Sequence, residues 1–262
     1  MSESLPSYLD FATETAYLAG RLTLGYFQTG MQPERKADQS PVTVADRRAE
    51  ELIRSRIEKR YPRHAIVGEE YGLKEAEGSH HRWLVDPIDG TKSFVRGVPL
   101  YAVLIGLEIE GTIEVGVAYF PALDDMLAAA TGAGCWWNGR RTQVSTISSL
   151  AEATAAFSDA GGFEEGGRVE EWQRIKRATY FCPGWGDAYG HSLVATGRIE
   201  LMLDPMMSPW DCGPFPPILK EAGGYFGDWQ GETTIYASEA LSTSQRLLPE
   251  VLALIQSAQE NR

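Results

Sequence analysis

The sequence predicts a mixed α and β fold. Two amphipathic stretches come first, then short apolar runs split by turn signals, then runs that alternate with helical stretches. Residues 9–29 place Leu9, Ala12, Ala16, Ala19, Leu22 and Tyr26 at three- and four-residue spacings, a helix for which Gly30 supplies a stop. A polar connector, Gln32 to Pro41, follows. A second helix, from about Ala45 to Arg60, buries Ala49, Leu52, Ile53 and Ile57, and Pro62 ends it. Thr43 is a good N-cap and would put Asp46 in the first turn, near the positive end of the helix dipole.

From Ala65 the texture changes. Ala65–Val67, Trp83–Val85, Ala102–Leu107, Ile113–Tyr119 and Met126–Ala130 read as strands of a mostly antiparallel sheet. Glu110-Gly111 and Asn138-Gly139 mark turns, the second suited to a tight hairpin on which Trp136 and Trp137 pack. Beyond about residue 145, strands at Ala153–Phe157, Thr179–Cys182 and Ile199–Leu203 alternate with helices at about Val169–Arg177 and Ala188–Thr196. A final helix covers about Gln245–Ala258. Residues 1–145 thus form an α+β half and residues 146–262 an α/β half, the two serving as one functional unit.

Hydrophobic residues make up 43 % of the 262 residues and charged residues 23 %, ordinary globular usage that buries a substantial core. The formal net charge of −12 repels nucleic acid and anionic membranes. It repels a phosphate ester too, unless bound metal supplies a cation in the site. Three cysteines, Cys135, Cys182 and Cys212, make neither a disulfide framework nor a zinc cluster, and point to a reducing compartment. Met1 to Tyr8 lacks the basic start and apolar run of a signal peptide, and no stretch approaches the roughly 20 apolar residues of a membrane helix. A cytoplasmic protein is expected.

Three acidic clusters sit where predicted strands end. Gly68-Glu69-Glu70 follows Ala65–Val67, Asp86-Pro87-Ile88-Asp89-Gly90-Thr91 follows Trp83–Val85, and Trp210-Asp211 comes far downstream. Alone, the first is a solvated loop, the second an acidic turn and the third a helix cap. Together they supply one set of hard oxygen ligands, free of histidine and cysteine, suited to Mg²⁺ or Mn²⁺. Pro87 fixes the backbone so that Asp86 and Asp89 can face one point, with the Ile88 carbonyl free as a further ligand. Gly90 lets the backbone approach a ligand, and a helix starting near Thr91 would offer free N–H groups to an anion.

These motifs resemble the signatures of the inositol monophosphatase superfamily. The flanks agree: Thr43-Val44-Ala45-Asp46 upstream, Leu193-Val194-Ala195-Thr196-Gly197 and Glu221-Ala222-Gly223-Gly224 downstream. The resemblance covers about residues 10 to 260. It implies a five-layered αβαβα sandwich, usually a homodimer, that hydrolyses a small-molecule phosphate monoester with two or three Mg²⁺ ions, Mn²⁺ being a substitute. By the same resemblance, Glu69, Asp86 and the Ile88 carbonyl hold the first metal, and Asp86, Asp89 and Asp211 the second. Glu69, with Asp46 nearby through water, supports a third. Thr91 pairs with Asp46 to orient the attacking water, and Gly90 and Thr91 give N–H groups to the phosphate. Lys36 matches a basic position near the site, or is a surface lysine.

Asp89 to Gly97 and Gly186 to Gly190 resemble the histidinol-phosphate phosphatase branch, which makes histidinol phosphate the expected substrate. Inositol phosphate or another sugar or nucleotide phosphate is the alternative. A catalytically silent homologue would have lost a ligand or Thr91, and a calcium-stabilised structural protein would not need the anion-binding turn. Asp187 and Asp204 fall where relatives contact the rest of the substrate; otherwise Asp187 caps the helix at Ala188 and Asp204 starts the turn at Pro205. His191 lies on a helix beside that substrate wall, while His80 and His81 read as surface residues before a strand. One stretch departs from the family: Pro216 and Pro217, soon after Asp211, should disturb the first turns of that helix.

Overall fold

Alternation along the strands decides which layer each residue faces. In the computed structural model, which describes residues 3–36 and 40–257, Trp83 and Val85 of β5 (His81–Asp89) point to one face of a sheet. Leu84 points to the other face. The next two strands across the sheet, β6 (Ala102–Ile109) and β7 (Thr112–Phe120), repeat the pattern, with Val103, Ile105, Val115 and Val117 on the first face and Leu104 and Ala118 on the second. β3 (Ala65–Gly68), β4 (Gly72–Lys74), β8 (Asp125–Ala130), β9 (Gly134–Trp137) and β10 (Arg140–Arg141) complete an eight-stranded sheet in the order β10-β9-β8-β7-β6-β5-β3-β4. Every pairing is antiparallel except β3 with β5.

Five layers result. Helices α1 (Leu5–Leu24) and α2 (Val44–Arg60) cover the first face through Ala12, Ala16, Ala19, Ala49, Ile53 and Ile57. On the second face lie α6 (Asp187–Ala195), the short α7 (Pro209–Cys212) and α8 (Phe215–Glu221), which also pack on a four-stranded sheet. That sheet runs β11 (Ala155–Phe157), β12 (Leu201–Asp204), β14 (Ala240–Ser244), β13 (Gly224–Gly227). Its far side is closed by α4 (Ala160–Glu165), α5 (Val169–Ala178) and α9 (Leu248–Gln256) through Phe163, Trp172, Ile175, Val251 and Ile255. The αβαβα expectation holds. A two-stranded ribbon, β1 (Glu34–Arg35) and β2 (Pro41–Val42), precedes α2, and α3 (Thr91–Val95) follows β5.

Some expected bounds change. α1 begins a turn early, because Pro6 is tolerated where helical N–H groups lack partners, and it ends at Gly25 rather than Gly30. Thr179–Cys182 is no strand: it forms one bridge beside β11, and Pro183 has no N–H with which to continue a ladder. The last helix begins at Leu248, and Ala258 lies outside the described residues. His81 is half-buried at the start of β5, its ring 4.4 Å from that of His64. The prolines after Asp211 do interrupt the chain, splitting it into α7 and α8, with Pro216 inside the first turn of α8 where it removes no hydrogen bond.

The joint between α7 and α8 is seated on glycine. Gly106 and Gly116 face each other across β6 and β7, and a methyl group on either would collide with the backbone of Gly213 or Pro214. Gly116→Ala should therefore cost about 1–3 kcal/mol of stability through overpacking. Denaturant unfolding checks this, and a change below about 0.5 kcal/mol would show that the joint does not depend on the slot.

Candidate active site

Parity delivers the first carboxylate. Asp86 lies two residues past Leu84 and so faces the middle layer at the end of β5, where it is buried. A bulge delivers the second. Asp86 pairs with Leu104 and Asp89 with Ala102, so three steps on β5 match two on β6. The extra residue turns Asp89 to the face that Asp86 occupies. The Ile88 amide donates to Asp86 Oδ1 at 2.9 Å and pins the turn.

Asp211 arrives from the middle layer. Ser208 caps α7 in a reciprocal box, its amide donating to Asp211 Oδ2 at 2.8 Å. One oxygen from each of Asp86, Asp89 and Asp211 falls within 4.8 Å of the others. Burial, then the charges of Glu69, Asp89 and Asp211, holds the Asp86 carboxyl well above the usual range. Burial, then Asp187 and Asp211, does the same for Asp89. Burial pushes Asp211 up to about 7 against the pull of the Ser208 amide. Such a set is unfavourable until a cation neutralises it. Its oxygen-only chemistry fits a hard divalent ion.

Glu69 stands in the loop after β3. It is ion-paired with Lys36 at 2.8 Å, and the same ammonium reaches Glu70 at 2.7 Å. Lys36 is thus ion-paired with both acids rather than a free surface lysine. Asp46, buried at the third position of α2, joins the cluster to that helix. Its Oδ2 accepts from the Thr43 amide and hydroxyl at 2.8 and 2.5 Å, and its Oδ1 lies 3.2 Å from the Thr91 hydroxyl. Burial raises the pKa of Asp46. The Ile88 carbonyl, expected free, lies 3.1 Å from the same Thr91 hydroxyl. Gly90 adopts a left-handed φ of 80° and starts α3, with no side chain capping it.

A second acidic group adjoins the first. Asp187 does not cap α6 with its side chain; Asp89 Oδ2 takes the Ala188 amide instead, at 2.9 Å. Asp187 has a left-handed φ of 56°, unfavourable for a residue with a Cβ, and its amide donates to Ser158 Oγ at 2.7 Å. Its own Oδ2 would lie 3.2 Å from a methyl group on Gly90. Ser158 in turn donates a short hydrogen bond to Asp204, which also accepts from the Met206 amide at 3.4 Å in the turn after β12. Burial pushes Asp204 up to about 7. His191 does not join this wall. Its Nδ1 lies 2.6 Å from Ser242 Oγ and its ring centroid 5.0 Å from that of Phe215, deep between α6, α8 and β14. Burial pushes it down to about 3, which leaves it neutral.

The model of the inositol monophosphatase family matches residues 5–260. The chain belongs to the inositol monophosphatase family. It is 41 % identical over 256 residues to a histidinol-phosphatase of Chlorobaculum parvum, covering 97 % of this chain and 98 % of that one. A histidinol-phosphatase of Streptomyces coelicolor is 35 % identical over 264 residues, covering 96 % and 98 %. The IMPase of Thermotoga maritima superposes with a TM-score of 0.87 at 27 % identity, covering 97 % of this chain and 99 % of that one. The chain is therefore a phosphoric monoester hydrolase of a metal-dependent family.

Within this inositol monophosphatase fold, Asp46, Asp86, Asp89, Thr91 and Asp211 gather at one end of β5, with Asp187 beside Gly90. Two polar groups that support them escape sequence reading. Ser208 is visible only as a residue three before an aspartate, the spacing of a capping box. Ser158 carries no local signal, because its role needs the end of β11 laid beside the start of α6.

Proposed function

We propose that the chain hydrolyses histidinol phosphate, using Mg²⁺ held by Glu69, Asp86, the Ile88 carbonyl, Asp89 and Asp211. What supports this most is the second acidic group. Asp187, through its backbone amide, and Asp204, through its carboxylate, share Ser158 beside Asp89, so a cationic amine on the substrate would meet concentrated negative charge there. The two histidinol-phosphatases described above point the same way. Both halves of the chain contribute, residues 1–145 most of the ligands and residues 146–262 Asp211 and the amine-facing pair. Homodimeric assembly and a cytoplasmic setting belong to the same reading, and the three unpaired cysteines accord with the latter.

Metal held by these residues would supply positive charge to attract the phosphate, to acidify a water and to offset charge on the leaving oxygen. The chain's own residues do the rest. Gly90 and Thr91 present backbone N–H groups to the phosphate. The Thr91 hydroxyl orients the water and relays its proton to Asp46 Oδ1, 3.2 Å away, a carboxyl whose burial makes it a better proton acceptor. Thr43 holds the other oxygen of Asp46, so the acceptor cannot rotate away.

Phosphate release from a panel of monoesters tests this reading. Histidinol phosphate should be turned over faster than inositol phosphate, with Mg²⁺ required, Mn²⁺ substituting and excess chelator abolishing the reaction. Full activity in chelator would sink the metal assignment. A preference for inositol phosphate would sink the substrate alone.

A further inference from the structure

Helix α2 carries a second buried carboxylate one turn beyond Asp46, and the chemistry above does not use it. Glu50 is 0 % exposed. Its Oε1 accepts from Arg54 Nε at 2.7 Å and from the Tyr71 amide at 3.2 Å, and its Oε2 accepts from the Glu70 amide at 2.7 Å. Both oxygens are committed to donors, so Glu50 is no free metal ligand or base. The amides it grips belong to the loop Glu69-Glu70-Tyr71, which joins β3 to β4 and is closed by the Gly68–Gly72 pair. A methyl group at Gly68 would collide with Glu50, so that glycine is what lets the carboxylate reach the loop. The Glu69 amide is tied separately, to the Val85 carbonyl at 3.2 Å on the metal-bearing strand.

We infer that Glu50 is a positioning residue for Glu69. By holding the two amides that follow Glu69, it fixes the direction in which the Glu69 side chain leaves the loop. The inference rests on the reading of Glu69 as a metal ligand. It also explains the spacing on α2. Asp46 and Glu50 are four residues apart on one helix face, so a single turn sets Thr91 on one side of the cluster and Glu69 on the other. Charge alone does not account for the arrangement, because Arg54 already pairs with Glu50 and an ion pair needs no backbone amides.

The test is Mg²⁺ affinity, read both by calorimetric titration of the metal-free protein and from the Mg²⁺ dependence of phosphate release. A glutamine at position 50 keeps the shape but sets an NH₂ group against either the Glu70 amide or the Arg54 and Tyr71 donors. Glu50→Gln should raise the half-saturating Mg²⁺ about 10- to 100-fold, the usual effect of losing a group that orients a metal ligand, with kcat largely recovered at saturating Mg²⁺. Gly68→Ala pushes Glu50 aside without changing any charge and should reproduce the shift, which covers the case of Glu50→Gln failing to fold. In Glu69→Gln, adding Glu50→Gln should shift the Mg²⁺ dependence no further, because the two act through one ligand. An unchanged Mg²⁺ dependence in folded Glu50→Gln overturns the inference, as does full additivity with Glu69→Gln. If Glu69→Gln itself leaves the dependence unchanged, the ligand reading fails first and the inference falls with it.

Discussion

Asp89→Asn and Asp211→Asn should each lower turnover about a thousandfold or more at saturating Mg²⁺, as expected when a preorganised charge is lost from a reacting site. The same changes should raise the melting temperature of the metal-free protein. The reason is the surroundings of these groups. Asp86, Asp89 and Asp211 bring oxygens within 4.8 Å of one another, the first buried and the other two half-buried, and desolvation is the first cause that raises their pKa values. For Asp211 the folded value is about 7, against about 3.9 in an unfolded chain. The folded state therefore holds the proton more tightly than the unfolded one. Its advantage is complete below about pH 4 and is lost as pH rises toward 7. Asparagine cannot ionise, so it escapes that loss while keeping an oxygen for the Ser208 amide. The gap in melting temperature between variant and wild type, measured in chelator, should open with rising pH. Activity within tenfold of wild type, or a variant that is less stable in chelator at pH 8, would show that these carboxylates are not a strained metal cluster.

Legibility from sequence followed the range of the interactions. α2 and its Thr43–Asp46 cap were readable because a capping box is written within four residues. The Asp86–Asp89 turn was readable because Pro87 betrays it, although the bulge that aligns the two side chains needed the partner strand β6. β14 went unread. Ser242, Thr243 and Ser244 look like a loop, yet they are buried, with Ser242 bonded to His191 and Thr243 to the Glu200 carbonyl. β13 is bracketed by glycines and hides for a similar reason. His191 cannot be placed from the sequence, because α6 is buried nearly all round and its periodicity names no outward face. Glu50 reads as one more charge on a polar helix face until the loop after β3 closes over it. Pro216 and Pro217 announced a break correctly, and the structure adds that Gly106 and Gly116 provide the slot in which the break sits.

Substrate choice gives the second large effect. Histidinol carries an amine that is cationic near neutral pH, and a charge-assisted hydrogen bond to a carboxylate contributes about 1.5–3 kcal/mol. At about 1.4 kcal/mol per decade this is roughly a ten- to hundredfold preference over an uncharged monoester. Asp187→Asn or Asp204→Asn should therefore lower kcat/KM for histidinol phosphate by about that factor while changing a neutral monoester by less than about threefold. The backbone supports this assignment for Asp187. A left-handed φ of 56°, held by Ser158, is an unfavourable conformation for a helix start, and its side chain gives α6 no cap in return. Asp204 adds a dependence on pH. Burial holds its carboxyl near 7, so below that pH the free enzyme presents a protonated acid to the amine. The preference for histidinol phosphate over the neutral monoester should rise between about pH 6 and 8 in the wild type and flatten in Asp204→Asn. Paired kcat/KM profiles on the two substrates measure this directly. Equal losses on both substrates in both variants would mean that the acidic pair shapes the pocket without reading the amine, leaving the phosphatase chemistry in place and the substrate assignment wrong.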